Sequence, residues 1–410
     1  MQGRSRVYFV NRYFYPDDSA TAQLLSDLAF GLAERGFEVH VVCCRQLYGD
    51  AAARLPRTEA IRGVYVHRLW TTRFGRRRLL GRALDYVTFY LSCFVALTRS
   101  LRRGDIVVAK TDPPMISTVV AACAWLKGAI LVNWLQDIFP EIASVLGANP
   151  LPAPLNGWMR RLRDVSLRVA AINVVLGGRM REFLASQGVP LEKIRVIQNW
   201  SAAEQSSPPS TDESLLRSRL GYQHKFIVGY SGNLGRAHDY VTLLGAAEAL
   251  RDEENFVFLM VGGGAHMAAL KTAVAERRLD NVHFLPYQPR EALSDSLGAA
   301  DVHLTSLLPA LEGLIVPSKF YGILSAARPV IFIGDPDGEL ARVIRASGCG
   351  LVVEPGRSSE LAAAIRNLRQ HPGQCRDFGA RSRQLSLQEY SAAGAQASWI
   401  DLLNGLLARD

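Results

Sequence analysis

Two successive series of alternating strands and helices are the feature that most constrains the fold of this 410-residue chain. The first series opens with a strand at Arg6–Asn11, a helix with apolar periodicity at Ala20–Arg35 and a second strand at Phe37–Cys43, and it closes with a strand at Ile194–Ile197. Strands that are joined by crossover helices pair in parallel. The pattern therefore predicts a doubly wound parallel α/β domain.

A stretch rich in Ser, Pro and acidic residues, 201–214, interrupts the alternation, and a second series begins at the strand Phe226–Tyr230. We therefore predict an N-terminal α/β domain over residues 1–200, a linker, and a C-terminal α/β domain over residues 215–387. A final helix at about 388–410 is expected to pack back on the first domain. Ligands of open parallel sheets bind at the carboxyl ends of the strands, so the cleft between the two domains is the predicted site.

Composition and the longest apolar stretches predict a cytoplasmic, core-forming protein. Hydrophobic residues make up 49% of the chain and charged residues 21%, which excludes disordered and collagen-like classes. The six cysteines form no C-x-x-C pair, so reduced thiols are expected. The uncharged stretches Tyr86–Thr98 and Pro113–Leu126 are shorter than the roughly 20 residues of a membrane span. Neither a spanning helix nor a secretory signal is predicted.

Positive charge is concentrated in the first half of the chain. Residues 1–200 carry 27 Lys and Arg against 15 Asp and Glu, whereas residues 201–410 carry 20 against 23. The basic residues of the segment 73–103 are Arg73, Arg76, Arg77, Arg78, Arg82, Arg99, Arg102 and Arg103, and Asp85 is its single acidic residue. The apolar and aromatic sequence LDYVTFYLSCFVAL lies between these arginines.

Basic flanks around an apolar, aromatic helix favour contact with an anionic membrane surface. The residues assigned to this contact are Arg76, Arg77, Arg78, Arg82, Arg102 and Arg103. A buried crossover helix with solvated arginine ends is the alternative. Nucleic acid is a disfavoured partner, because no nucleic-acid-binding motif accompanies the charge.

The best candidate for a phosphate-binding loop is the sequence SGNLGR at 231–236. It follows the strand FIVGY and precedes a helix that is expected to start near Asp239. Glycines let backbone N–H groups approach an anion, the helix N-terminus adds partial positive charge, and Arg236 can donate two parallel hydrogen bonds. A simple tight turn is the alternative.

Two further glycine-rich or cationic turns stand at predicted strand ends. Pro317, Ser318 and Lys319 open a helix, where a lysine opposes the helix dipole and is better explained by a bound anion. A solvated surface lysine is the alternative. The triple glycine 262–264 follows the strand VFLMV and is typical either of a tight turn or of a backbone that lies against a ligand.

Two carboxylates, Asp137 and Glu141, follow the strand ILVNWLQ at the predicted cleft. They are equally consistent with a functional pair at the rim of the cleft and with capping of the next helix. The sequence lacks a G-x-G-x-x-G after its first strand, a Walker motif, H-E-x-x-H and zinc-ligand spacing. This argues against dehydrogenases, P-loop NTPases and zinc hydrolases, and it predicts no metal site and no cofactor.

A family resemblance unites these motifs. The second half contains GYSGNLGRAHDYVTLLGAAEAL, FLMVGGG, VHFLPYQPREAL and GLIVPSKFYGILSAARPVI, and the first half contains YFYPDDSATAQLLSDLAFGLAERGFEVHVV, LQDIFPE and INVVLGGRMREFLASQGVPLEKIRVIQNW. From about residue 6 to about residue 370 the chain resembles family 4 glycosyltransferases. It is most similar to the bacterial surface-polysaccharide branch of fucosamine transferases and colanic acid enzymes.

The resemblance implies a GT-B fold of two Rossmann-like domains, a nucleotide-sugar donor on the C-terminal domain, an acceptor on the N-terminal domain, no metal, and retention of anomeric configuration. The donor residues it implies are Gly232, Asn233, Gly235, Arg236, Gly263, Tyr287, Gln288, Glu312, Pro317, Ser318 and Lys319, with Tyr287 and Gln288 near the base. The acceptor residues are Tyr15, Asp17, Ser19 and Ala20, and the catalytic residues are Asp137, Glu141, Arg236 and Lys319.

Two departures from the family pattern stand out. Ser19 and Ala20 replace the usual Gly-Gly pair of the first loop, and Glu312 is followed eight residues later by Phe320 instead of a second glutamate. The activity implied is sugar transfer from a UDP-sugar, such as an N-acetylated amino or deoxy sugar, to a lipid-diphosphate-linked saccharide at the inner face of the cytoplasmic membrane. Alternatives are a GDP-sugar donor or a soluble acceptor, and, less favoured, a nucleotide-sugar epimerase or a non-catalytic assembly partner.

Overall fold

The computed structural model describes residues 6–75, 79–147, 152–201, 211 and 213–408. They form two compact units, one of residues 1–198 together with 393–410 and one of residues 199–392. Most of the predicted linker 201–214 lies outside the described residues. Each unit is a sheet with helices on its faces, and all described strand pairs are parallel except that of Thr58–Ile61 with Val64–Leu69 at the edge of unit 1. The two units together are the predicted pair of doubly wound α/β domains.

Unit 1 contains an eight-stranded sheet in the order β3-β4-β2-β1-β5-β6-β7-β8. Its strands are β1 (Arg6–Val10), β2 (Glu38–Cys44), β3 (Thr58–Ile61), β4 (Val64–Leu69), β5 (Ile106–Lys110), β6 (Ile130–Trp134), β7 (Ile172–Val175) and β8 (Ile194–Val196). Its helices are α1 (Ala20–Glu34), α2 (Leu79–Ser100), α3 (Ile116–Lys127), α4 (Glu141–Val145), α5 (Ala153–Val169) and α6 (Gly178–Ser186).

Unit 2 contains a six-stranded parallel sheet in the order β11-β10-β9-β12-β13-β14. Its strands are β9 (Phe226–Asn233), β10 (Phe256–Gly263), β11 (Val282–Leu285), β12 (Val302–Ser306), β13 (Val330–Ile333) and β14 (Gly350–Val353). Its helices are α7 (Leu215–Arg219), α8 (Val241–Ala249), α9 (Met267–Glu276), α10 (Leu293–Gly298), α11 (Lys319–Ser325), α12 (Glu339–Ser347), α13 (Ser358–Gln370) and α14 (Pro372–Gln388).

The last helix, α15 (Ala392–Leu407), belongs to unit 1 from Ala393 onward. Trp399 is fully buried there, and its ring lies 6.3 Å from that of Phe9 on β1 and 5.0 Å from that of Trp134 on β6. Gln396 donates to the carbonyl of Asp27 on α1 over 3.1 Å. Burial of an aromatic pair stabilises such a contact beyond the apolar area alone, so these side chains hold the end of the chain against the sheet of unit 1.

The helix α2 departs from the expectation that no segment is long enough to span a membrane. Residues Leu80–Ser100 form a continuous helical stretch that meets the length and composition of a spanning helix, with a mean hydropathy of 1.3. Its charged residues lie near its two ends, Arg82 and Asp85 close to the start and Arg99 close to the end. Its inward face is nevertheless part of the unit 1 core, where Phe89, Cys93 and Leu97 are fully buried.

Candidate active site

The loops that follow β9 and β10 lie side by side in unit 2. β9 continues to Asn233, three residues beyond its predicted end, and Gly232 and Asn233 pair in register with Gly262 and Gly263. Gly262 has a φ of +126°, and a Cβ there would lie 2.4 Å from the carbonyl oxygen of Gly232. The glycines are therefore required for the two loops to approach each other at the carboxyl ends of adjacent strands.

The loop 231–236 leaves hydrogen-bond donors free at this edge. Arg236 is exposed, and within the described ranges neither its guanidinium nor its backbone N–H has a partner. The N–H of Gly235 is also without a described acceptor. The helix α8 contributes less than predicted, because the carboxylate of Asp239 caps its first turn and accepts from the N–H of Val241 over 2.8 Å. The anion-binding capacity of this turn rests on Arg236 and the loop N–H groups.

Lys319, the first residue of α11, lies against the loop 231–236. A Cβ at Gly232 would stand 3.4 Å from Lys319 Cε, so the two turns predicted separately to bind phosphate meet in the structure. Lys319 Nζ donates to His238 Nε2 over 2.9 Å and lies 5.2 Å from the centre of the Tyr230 ring. The alternative of a solvated surface lysine does not fit this half-buried side chain.

His238 is the residue of this site that the sequence did not single out. Its Nδ1 lies 2.6 Å from the carbonyl oxygen of Ser306 on β12, which places the proton on Nδ1 and leaves Nε2 to accept from Lys319. The pKa of His238 is lowered to about 3, mainly by burial and secondly by the charge of Lys319. Burial lowers the pKa of Lys319 to about 7. An anion beside Lys319 would restore its charge, which is the electrostatic arrangement that a diphosphate needs.

The remaining donor residues fall into two groups. Tyr287 and Gln288 follow β11; Tyr287 is exposed, and a Cβ at Gly263 would lie 3.1 Å from its ring. Gln288 donates to the carbonyl of Pro286 over 3.0 Å. Ser318 is exposed and immediately precedes α11. Pro317 lies one residue earlier, outside the helix, and not in its first turn as predicted.

Glu312 is held by its own unit. Its Oε2 accepts from the N–H of Glu339 at the start of α12 over 3.1 Å, and a Cβ at Gly338 would lie 2.2 Å from its Oε1. A carboxylate at this position stabilises the helix N-terminus through its N–H groups and dipole. The geometry gives Glu312 a helix-capping role, and its predicted contact with the donor stays a prediction.

Asp137 and Glu141 have different surroundings in unit 1. α4 begins at Glu141 with Pro140 before it, so Asp137 is not the cap that one interpretation expected. Burial raises the pKa of Asp137 to about 6, with a hydrogen bond from Thr111 acting in the opposite direction. Glu141 is buried and bound at both oxygens by Arg163, over 2.8 and 2.9 Å. Glu141 thus supports the loop, and Asp137 is the carboxylate that can meet a ligand.

The predicted acceptor residues form a turn before α1. Asp17 is buried, and its two oxygens accept from the N–H groups of Ser19 over 2.8 Å and of Tyr48 over 2.5 Å. Tyr15 and Ala20 are exposed, and the Oγ of Ser19 has no described partner. The role of Asp17 visible here is to fix two backbone segments, which leaves Tyr15 and Ala20 on the surface of this turn and Ser19 half-buried with a buried Oγ.

Among the described residues, no group of three or more His, Cys, Asp or Glu side chains could hold a metal ion. The metal-free reaction stays a prediction. Of the predicted membrane residues, Arg76, Arg77 and Arg78 lie outside the described residues. Arg82 is half-buried, and Arg102 and Arg103 are exposed after α2.

Two α/β units, with a glycine-lined cationic turn at the strand ends of the second, are what the resemblance to GT-B glycosyltransferases predicts. Comparison with protein families agrees: "Glycosyl transferases group 1" matches residues 213–385, and "Glycosyl transferase 4-like domain" matches residues 20–200. The chain belongs to this glycosyltransferase family and is an enzyme of that class.

Relatives with names support the same family. The chain is 25% identical over 293 residues to the probable glycosyltransferase WbjE of Pseudomonas aeruginosa, covering 72% of this chain and 73% of that protein. It is 26% identical over 394 residues to the putative colanic acid biosynthesis glycosyl transferase WcaI of Escherichia coli K12, covering 92% and 95%. The predicted resemblance to the surface-polysaccharide branch is confirmed.

Solved structures confirm the fold. Anabaena Alr3699/HepE, solved in complex with UDP, superposes with a TM-score of 0.71 at 16% identity and covers 98% of this chain and 100% of its own. Sucrose-phosphate synthase from Thermosynechococcus elongatus gives a TM-score of 0.77 at 17% identity, covering 99% and 100%. The predicted GT-B fold is correct.

Proposed function

We propose that this enzyme is a retaining glycosyltransferase that moves a sugar, such as an N-acetylated amino or deoxy sugar, from a UDP-sugar to a lipid-diphosphate-linked saccharide in cell-surface polysaccharide synthesis. The observation that carries the proposal is the meeting of Lys319 with the loop 231–236 beside the unpartnered Arg236. The name of WcaI, a colanic acid biosynthesis protein, supports the pathway class, and the UDP complex of HepE supports the nucleotide.

In the proposed reaction, the bond between the anomeric carbon and the diphosphate oxygen breaks, and a bond from an acceptor hydroxyl to that carbon forms on the same face. The acceptor proton passes to the leaving phosphate oxygen, so no side-chain nucleophile is required. Lys319, Arg236 and the N–H of Gly235 stabilise the charge that grows on the diphosphate. Asp137 accepts a hydrogen bond from a sugar hydroxyl and orients it.

A thermal-shift measurement with nucleoside diphosphates in EDTA tests the nucleotide and the metal-free mechanism together. A ligand that binds only the folded state adds about 2.7 kcal/mol of stability at a hundred times its Kd. We expect UDP to raise Tm more than GDP, CDP or ADP does, with no change when Mg²⁺ is added. A shift that requires Mg²⁺ would overturn the metal-free mechanism, and a larger shift with GDP would replace the donor.

The pH dependence of donor binding follows from Lys319. Its pKa of about 7 means that the free protein loses this charge as pH rises above neutrality, whereas a bound diphosphate favours the protonated form. Kd for UDP-glucose, whose diphosphate keeps its charge from pH 6 to 9, is expected to be flat below pH 7. Above that pH it should rise by up to about tenfold per unit.

Calorimetric titration between pH 6 and 9 measures this dependence. Lys319→Arg is the matched control, because arginine stays protonated over this range and the slope should vanish. A pH-independent Kd in the parent protein would show that Lys319 does not contact the diphosphate.

We further propose that α2 brings the enzyme to the inner face of the cytoplasmic membrane. Large apolar side chains recur at helical spacing on the outward face of α2. We call this face the apolar ridge, and it consists of Leu80, Leu84, Val87, Leu91, Phe94 and Val95. Leu80 is 82% exposed. The neighbouring helix α3 packs beside α2, and its Trp125 is exposed to the same extent. Exposed arginines, Arg99, Arg102 and Arg103, stand at the far end of the ridge. Such a face suits an interfacial position on anionic lipid.

Vesicle sedimentation of variants in the ridge tests whether this surface binds a membrane. Leu84→Gln combined with Leu91→Gln should weaken binding to anionic vesicles at least tenfold, since each buried leucine contributes about 1.5–3 kcal/mol. High salt should weaken the parent protein as well, because exposed charges are screened over about 8–10 Å. Leu215→Gln on α7, a leucine of 71% exposure outside the ridge, is the control. If the ridge variant sediments with vesicles to the same extent as the parent protein and the control, the ridge does not bind the membrane.

A further inference from the structure

Unit 1 contains a cavity of about 330 Å³ that the donor site does not involve. Its walls include Arg12, Gln46, Tyr48, Arg73, Phe74 and Asp85. The volume is at the lower end of the range for small-molecule sites, about 300–1,000 Å³, and is enough for a compact polar group. Asp17 positions one wall, because its carboxylate holds the backbone N–H of Tyr48.

The acidic residue of the cavity has its carboxylate oxygens occupied by hydrogen bonds. Asp85 accepts from the hydroxyl of Thr72 over 2.7 Å and from the N–H groups of Phe74 and Gly75 over 3.1 and 3.0 Å. These bonds fix the segment before α2 and occupy both carboxylate oxygens. Arg73 is exposed on the wall and has no partner in the described part of the chain. The charge that the cavity can present to a ligand is therefore positive.

Arg12 is the central cation of the cavity. Its side chain is 5% exposed, and its single ion pair, from Nη2 to Asp85, is long at 3.4 Å. Its Nε has no hydrogen-bond partner among the described residues. The guanidinium lies near two aromatic rings, 5.4 Å from the centre of Tyr13 and 5.0 Å from that of Tyr86. A buried guanidinium whose Nε lacks an acceptor and whose contact with a carboxylate is long keeps hydrogen-bonding capacity for a ligand.

The rim of the cavity continues into the apolar ridge of α2. Phe74 packs against Gly81, where a Cβ would lie 2.6 Å from that of Phe74. Phe74 is exposed, and the ridge residues Leu80 and Leu84 follow it on the surface of α2. A ligand that fills the cavity with an anionic head can therefore lay an apolar tail along this helix.

We infer that the cavity binds the diphosphate group of the lipid-linked acceptor, with Arg12 and Arg73 contacting its oxygens and the lipid leaving past Phe74. The planar guanidinium matches two phosphate oxygens at once. This inference rests on the proposed function and names the part of the acceptor that unit 1 recognises. It makes the acceptor lipid a ligand of the protein as well as an anchor in the membrane.

The test is calorimetric binding of geranyl diphosphate in the presence of saturating UDP, which occupies the donor diphosphate site. Arg12→Lys should raise Kd at least tenfold, since lysine cannot replace a bidentate contact, and Arg73→Gln should raise it about threefold or more. Arg181→Gln, which removes an exposed charge of unit 1 on α6, should leave Kd unchanged within about twofold. The exposed Arg73 keeps the test valid if Arg12→Lys fails to fold.

Two further probes identify the group that is recognised. Inorganic diphosphate should bind more weakly than geranyl diphosphate, and glucuronate should not compete with it. Equal affinity for inorganic diphosphate, competition by glucuronate, or no effect of either arginine variant would overturn the inference. Binding of UDP with no binding of geranyl diphosphate would overturn it and leave the proposed function standing, whereas absence of UDP binding would remove the proposed function itself.

Discussion

Replacing Lys319 with alanine is expected to lower kcat/KM about 10²–10³-fold, the loss typical of removing one preorganised donor to a developing oxyanion. The aliphatic stem of Lys319 packs over Gly232, and its ammonium is hydrogen-bonded to His238, so no other described lysine of unit 2 can take its place. Arg236→Ala should cost at least about tenfold, since it removes a charge-assisted hydrogen bond from an exposed position. Steady-state rates of sugar transfer or of UDP release measure both effects.

The stability of the Lys319 variant separates a functional role from a structural one. Burial disfavours the charged form of this lysine, as its lowered pKa shows, so alanine should not lower Tm. Lys271→Ala on α9, an exposed lysine of the same unit, is the matched control and should retain full activity. Activity within twofold of the parent in Lys319→Ala would remove the assignment of the diphosphate site.

Replacing Gly262 with alanine is expected to destabilise unit 2 by about 2–4 kcal/mol and to abolish donor binding. The φ of +126° is strained for any L side chain, and the new Cβ would meet the carbonyl oxygen of Gly232 at 2.4 Å. Because that atom is backbone, the clash moves the loop 231–236 itself. Denaturant unfolding, which reports the free energy, and UDP titration measure the two effects.

Gly235→Ala is the matched control within the same pair of loops. Its φ is not in the left-handed region, and its Cβ would meet only the side-chain amide of Asn233, at 3.1 Å. A flexible side chain can move away, so the free energy of unfolding should change by less than about 1 kcal/mol. Equal destabilisation by the two substitutions would show that the contact between the glycine loops does not govern stability.

The alternation of strands and helices predicted the architecture well because burial dictates it. The predicted strands near β1, β9 and β10 are continuous apolar runs, as strands covered on both faces must be. The missed strand β3 has a half-exposed, short sequence, TEAI, and pairs antiparallel with β4 at the edge of the sheet. Its formation depends on a neighbouring strand and not on its own composition.

The sequence predicted only those features of the candidate site that depend on residues close together in the chain. The glycines of 231–236 and the lysine at 319 indicated two anion-binding turns, and the structure brings Gly232 and Lys319 of these turns together. The pairing of His238 with Lys319 joins residues 81 positions apart, and that of Arg163 with Glu141 joins residues on different elements. No local pattern encodes such contacts. The same holds for Arg12, whose burial beside Asp85 creates the cavity of unit 1.

A crystal structure with UDP bound in the absence of divalent metal tests the diphosphate site of unit 2. We expect the β-phosphate to lie within hydrogen-bond distance of Lys319 Nζ, the Arg236 guanidinium and the N–H of Gly235, with the uracil near Tyr287. Electron density for UDP at another place in unit 2, or a β-phosphate that contacts neither Lys319 nor Arg236, would contradict it.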